Sequence, residues 1–240
     1  MNYEVCAANL QSALAAQEAG AHRIELCSAL DVGGLTPSWG LIRATVRHLT
    51  IPVHVLIRPR EGDFCYSKME LDLMLDDVRA CREMGVAGVV VGALHPSGEL
   101  DLTTLEALKN ASGSLDVSCH RALDFCPDPI DAVHKLVGLG FTRLLSSGQA
   151  RSAFEGRFCL KKMVAAAHGR MSVMPGGGIT AQNIGAIAEC TGAQDFHFSG
   201  RKKMAAVSQQ SPLPGLDMEH WESDVSLIRA VMAAHAKQQA

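Results

Sequence analysis

Eight times along its 240 residues the chain passes from a short β-rich run to a helical pattern. No other feature limits the fold as much. A strand followed by a crossover helix forces parallel pairing, and a parallel sheet buries both of its faces. The runs expected as strands cover residues 3–8, 23–28, 52–58, 88–94, 115–120, 143–147, 172–175 and 195–199. Helix starts lie between them. Asn9 is placed to cap the first helix, Thr36-Pro37 and Asp128-Pro129 each put a capping residue before a proline, and Thr180 precedes Ile184 and Ile187. Leu71, Met74, Leu75 and Val78 follow the i, i+3, i+4, i+7 spacing of a helix face. Beyond Gly200 the pattern predicts a long polar loop and a last helix from about Asp224.

No proline- or serine-rich linker divides these units, so residues 1–240 are expected to form one α/β domain. Eight strand–helix units in a chain of this length match a closed (β/α)8 TIM-type barrel with a C-terminal helix. An open doubly wound sheet would more often carry a glycine-rich turn after its first strand. The first turn here is Ala7-Ala8-Asn9.

Composition excludes several classes. A hydrophobic share of 48% is ample for a large core, and a net charge of −3 gives no reason to expect nucleic acid as a partner. No apolar run is long enough to span a membrane. Met1-Asn2-Tyr3-Glu4 has neither the basic nor the apolar character of a signal peptide, and the eight cysteines include no Cys-x-x-Cys. Reduced thiols in a cytoplasmic protein are the expectation.

Side chains alternate in direction along a strand, so residues of one parity share a face. Polar residues keep to one parity: Glu4 with Cys6, Glu25 with Cys27, His54 with Arg58, Ser118 with His120, and Asp195 with His197 and Ser199. Apolar neighbours such as Ile24, Leu26, Val53 and Val55 suit the face under the helices, which leaves the polar set inside the barrel. Buried ionisable groups are costly unless paired. The set therefore reads either as a structural network or as a solvated site. Its place late in the strands, where barrel sites sit, favours a site.

The loops add candidates. Arg58 and Arg60 follow the third strand and suit forked hydrogen bonding to carboxylate or phosphate, unless Glu61 and Asp63 absorb them in an internal cluster. His120 and Glu25 are the acid/base candidates, with Asp124 orienting a neighbour. Ser147 follows strand six, and Gly176-Gly177-Gly178 follows strand seven. Glycines leading into a helix let backbone N–H groups approach an anion. Ser147, Gly177, Gly178 and Ser199 are the anion-binding candidates, a tight turn being the plainer reading of the glycines. Such a set suits lyase- or isomerase-type chemistry on a small phosphorylated or carboxylated compound, since no nucleotide loop or organic-cofactor motif occurs.

Cys6 and Cys27 share a parity on consecutive strands, which are commonly neighbours. Two thiolates are a soft ligand pair suited to Cu(I), with His120 and His197 as further donors, although two cysteines in plain contact are commoner. Trp39 and Trp221 are candidate contacts for a homo-oligomer, or are packed in place.

Glu25-Leu26-Cys27, Gly33-Gly34-Leu35-Thr36-Pro37-Ser38, Ile57-Arg58-Pro59-Arg60, Gly62-Asp63-Phe64-Cys65-Tyr66-Ser67, His120-Arg121-Ala122 with Asp124, and Ser147-Gly148-Gln149 together resemble the CutC family. The resemblance runs from the first strand to the glycine turn at 176–178. It implies a cytoplasmic (β/α)8 barrel associated with copper homeostasis, and it implies Cu(I) binding at a cysteine pair that falls here on Cys6 and Cys27. It implies no particular reaction. Leu123 stands where the family usually carries an aromatic residue, and Pro175 precedes the glycines.

Overall fold

The computed structural model describes residues 1–206 and 219–236. Its elements alternate from the start: β1 Asn2–Ala7, α1 Leu10–Ala19, β2 Arg23–Leu26, α2 Trp39–His48, β3 Val53–Leu56, α3 Lys68–Glu83, β4 Gly88–Val91 and α4 Leu102–Ser112. The second half repeats the pattern with β5 Asp116–Cys119, α5 Pro129–Gly138, β6 Arg143–Ser146, α6 Arg157–Ala167, β7 Ser172–Pro175, α7 Ile184–Thr191 and β8 Asp195–Phe198. A hairpin, β9 Arg201–Met204 with β10 His220–Ser223, and the last helix, α8 Val225–Ala236, complete the described chain.

The sheet runs β7-β6-β5-β4-β3-β2-β1-β8, and a parallel bridge between Gly176 and His197 brings its two ends together. This is the expected (β/α)8 barrel. β4, Gly-Val-Val-Val, is buried along its whole length, as a strand covered on both sides must be. The main core fills the shell between strands and helices, where Ile24, Leu26, Val55, Leu105, Leu144 and Phe196 are fully buried. Burial of such side chains stabilises the fold by about 1.5–3 kcal/mol each. A second, small apolar cluster lies inside the barrel and consists of Cys6, Cys27, Leu56 and Val90.

Two helix starts differ from the sequence reading. Asn9 and Asp128 cap α1 and α5 as expected. Thr36 caps nothing: its hydroxyl accepts the Arg58 N–H, and Ser38 caps α2 instead by accepting from Leu41 N–H. Thr180 also supplies no side-chain cap. Its own N–H donates to the Asn183 side chain, and α7 begins only at Ile184. The stretch after Gly200, expected as a loop, pairs as the β9–β10 hairpin at its two described ends. Ser67 and Glu70 form a reciprocal capping box at the start of α3. Trp39 is exposed under Arg43, and Trp221 carries the Arg201 guanidinium 4.6 Å above its ring.

Candidate functional site

The polar residues inside the barrel separate into two tiers. The lower tier is built largely from first residues of strands: Arg23, Asp116, Arg143, Ser172 and Asp195. Arg23 donates to Glu4 at 2.6 Å, Arg143 to Asp116 at 2.8 Å and Ser172 to Asp195 at 2.5 Å. His54 lies 4.0 Å from Glu4 and 3.9 Å from Asp116. Burial opposes ionisation of Glu4, but the His197 hydrogen bond and the Arg23 charge outweigh it and hold the carboxyl well below its usual range. Here the network reading holds. His54 Nδ1 and Asp195 Oδ1 are the loose ends, with no hydrogen-bond partner.

Above this plug lies a cavity of about 370 Å³ at the C-terminal ends of the strands. Cys6 and Glu25 reach it from below, Arg58 and His120 from one wall, and Gly177, Gly178 and Ser199 from the rim. Most of the expected site residues thus meet in one place. Cys27 lies just beneath, fully buried, with its sulfur 3.7 Å from that of Cys6. The contact with Cys27, then burial, pushes the Cys6 thiol well above its ordinary range.

His197 joins the tiers. Its Nδ1 is 2.8 Å from Glu4 and its Nε2 is 3.5 Å from Glu25. Burial disfavours its charge, yet Glu25 and Glu4 together raise it above the ordinary imidazole value. Burial, with the Glu4 charge, raises Glu25 as well. Cys6, Glu25 and His197 place one donor atom each within 4.8 Å of one another. The donors that gather around Cys6 are therefore Glu25 and His197. His120 is not among them.

His120 is 5% exposed and is pushed down to about 3 by burial and the Arg58 charge, so the ring is neutral. Its Nδ1 accepts from Ala122 N–H, which puts the proton on Nε2. That Nε2–H is buried without a partner. Such an orphan costs about 1–3 kcal/mol. A side chain on Gly92 would come within 2.3 Å of the ring, so glycine there makes room for it. Phe64 packs between His120 and Arg58, with its ring centroid 4.9 Å from the imidazole and 5.0 Å from the guanidinium carbon.

Other expected residues do different work. Arg58 is 6% exposed and donates to the carbonyls of Val32, Gly34 and Gly62, tying two loops together. Arg60 lies outside the cavity. It binds Glu70 at 2.5 Å and Asp63 at 3.0 Å, the internal cluster that was the other reading, with Glu70 in place of the Glu61 carboxylate. Asp124 is a loop latch that accepts from Ser146, Ser147, Gln149 and Arg121. Ser147 is buried and accepts from Arg121 Nη2 while donating to Ala150 O.

Arg121 and Arg201 line the cavity, and sequence reasoning gave neither a role. Arg121 lay inside a quoted motif, but only the folded loop shows Asp124 and Ser147 aiming it at the glycine turn.

Comparison with known proteins follows the same lines. A family model described as CutC family matches residues 1–202. The chain is 40% identical to a CutC family protein of Pasteurella multocida across 99% of this chain and 100% of that one. It is 43% identical to a CutC family protein of Xanthomonas campestris, across 97% and 98%. The crystal structure of CutC from Streptococcus agalactiae, whose name assigns it to copper homeostasis, superposes with a TM-score of 0.80 at 35% identity, covering 83% of this chain and 98% of that one. An aldolase at 13% identity and TM-score 0.63 shares the fold.

Proposed function

Because the chain belongs to the CutC family, we propose that it handles copper, taking Cu(I) at the floor of the barrel cavity between the thiols of Cys6 and Cys27. The observation that carries this reading is the 3.7 Å separation of the two sulfurs. Metal–thiolate bonds of about 2.3 Å let one ion touch both. The donors also fit chemically, because thiolates favour Cu(I) and the neighbouring Glu25 and His197 offer harder ligands to complete a set. Cys6 lines the cavity, which gives an ion a route in. A site of reduced thiols suits the cytoplasm.

The elevated Cys6 thiol makes binding a competition with protons, so affinity rises with pH. Anaerobic Cu(I) titration against a competing chelator tests the assignment on the parent and on Cys6→Ser/Cys27→Ser. The expected result is one-to-one binding in the parent that the double substitution abolishes. Equal affinity in the two proteins ends the copper reading.

One observation favours a second reading. Glu25 and His197, 3.5 Å apart and both raised in proton affinity, form a pair able to pass a proton to a small anionic substrate, as in lyase or isomerase chemistry. Glu25→Gln would then abolish turnover while leaving substrate binding within a few-fold. Unchanged turnover excludes the pair as the proton carrier.

A further inference from the structure

The upper cavity holds positive charge that the protein leaves unanswered. Arg58 is buried, and its hydrogen bonds run to backbone carbonyls; no carboxylate among the described residues pairs with it. A guanidinium withdrawn from water without a counter-charge is unfavourable, and an anion in the cavity would supply one. On the same wall the Nε2–H of His120, a residue 5% exposed, has no acceptor.

The rim opposite is prepared in the same sense. Arg121 gives its Nε to Asp124 at 2.9 Å and its Nη2 to Ser147 at 2.7 Å, which leaves Nη1 directed toward the glycine turn. That atom lies 3.6 Å from the place a Cβ on Gly177 would occupy, which puts the guanidinium within van der Waals reach of the turn. Gly177 and Gly178 have φ values of +96° and +72°, which side chains resist. Among the described residues, the N–H groups of Gly177, Gly178 and Ile179 have no acceptor, while the neighbouring Gly176 and Thr180 N–H groups are both taken.

We infer that the cavity binds a small phosphorylated molecule, its phosphate seated on the 177–179 turn against Arg121 and its remaining oxygens meeting the Arg58 and His120 wall. Donors arriving from a guanidinium and from successive backbone N–H groups suit the three oxygens of a phosphate better than a planar carboxylate. The inference rests on neither copper binding nor proton transfer.

Calorimetric titration of the metal-free full chain tests it, with inorganic phosphate as the probe, acetate as the carboxylate arm and chloride as the ionic-strength blank. Saturable phosphate binding is expected, with acetate at least tenfold weaker. Arg121→Gln should weaken phosphate at least tenfold, whereas Arg79→Gln, an equal charge change on α3 outside the cavity, should leave it alone. Gly177→Ala keeps every charge and should also weaken phosphate, which covers the case that Arg121→Gln disturbs its loop. Heats no different from chloride, or unchanged by both cavity substitutions, overturn the proposal. Acetate binding as tight as phosphate overturns the phosphate in favour of a carboxylate. Because no copper is present, these outcomes stand apart from those of the Cu(I) titration.

Discussion

The lower and upper tiers of the barrel interior contain the same kinds of residue and treat them in opposite ways. Below, Arg23 and Arg143 each meet a carboxylate, and Glu4 gathers Arg23 and His197. Above, Arg58 meets carbonyls and the Phe64 ring but no carboxylate among the described residues, and His120 keeps an unmatched N–H. Glu4 and Arg23 below are as buried as Arg58 and His120 above, so burial by itself does not mark function here. Charge pairing does: ion pairs tie the lower tier together despite the loose ends at His54 and Asp195, whereas Arg58 beside the cavity meets no carboxylate among the described residues.

That contrast breaks most visibly at Glu4. Glu4→Ala leaves the buried Arg23 charge with only its longer 3.8 Å pair to Asp195 and should cost about 3 kcal/mol in urea unfolding. A cost below about 1 kcal/mol would mean that the lower tier is not the structural half.

Acid sharpens the comparison. His120 and His54 are held to about 3 and about 4 by burial, while unfolding restores an ordinary imidazole near 6.5. The unfolded chain therefore binds more protons below about pH 6.5, and the stability present above that pH is lost on the way down. Each histidine accounts for about 2 kcal/mol between pH 6.5 and 5. Glu25, whose raised value works the other way, is common to the parent and to His120→Asn. The variant should thus lose about 2 kcal/mol less than the parent over that interval. Equal losses would show that the folded His120 takes up its proton over the same range as a free imidazole.

Gly92→Ala comes next. Its methyl group meets the His120 ring, and overpacking of this kind costs about 1–3 kcal/mol. The expected signature is a displaced His120 imidazole resonance with the lower tier unaffected. The smallest effect belongs to Arg60→Ala. Its solvent-accessible pair with Asp63 and half-buried pair with Glu70 should together contribute about 1 kcal/mol or less, and ligand binding in the cavity should not change.

The barrel was legible because its periodicities are local. Runs such as Gly88–Val91 and the Leu71/Met74/Val78 spacing declare strand and helix without reference to anything distant. Starts were less secure: Thr36 reads as a cap until the Arg58 amide, 22 residues away, takes its hydroxyl. Strand parity brought Cys6, Glu25, Arg58, His120 and Ser199 to one cavity, because direction along a strand is fixed by the backbone. What each residue does there was not legible. The difference between Arg58 and Arg60 lies in partners that the fold supplies, carbonyls from two loops for one and Glu70 of α3 for the other. The β9–β10 hairpin escaped notice because Arg201-Lys202-Lys203 shows no apolar alternation.

The sheet closes between β7 and β8 through the bridge of Gly176 to His197; His197 lines the cavity, and Gly176 immediately precedes the Gly177–Gly178 turn on its rim. Occupancy and closure are thus one linked equilibrium. A ligand that rests on the glycine turn or on His197 also clamps the seam, and amide protons along β7 and β8 should exchange more slowly while it stays. Read in reverse, the seam acts as a reporter: a fall in deuterium uptake confined to those two strands would register a guest whose identity need not be known beforehand.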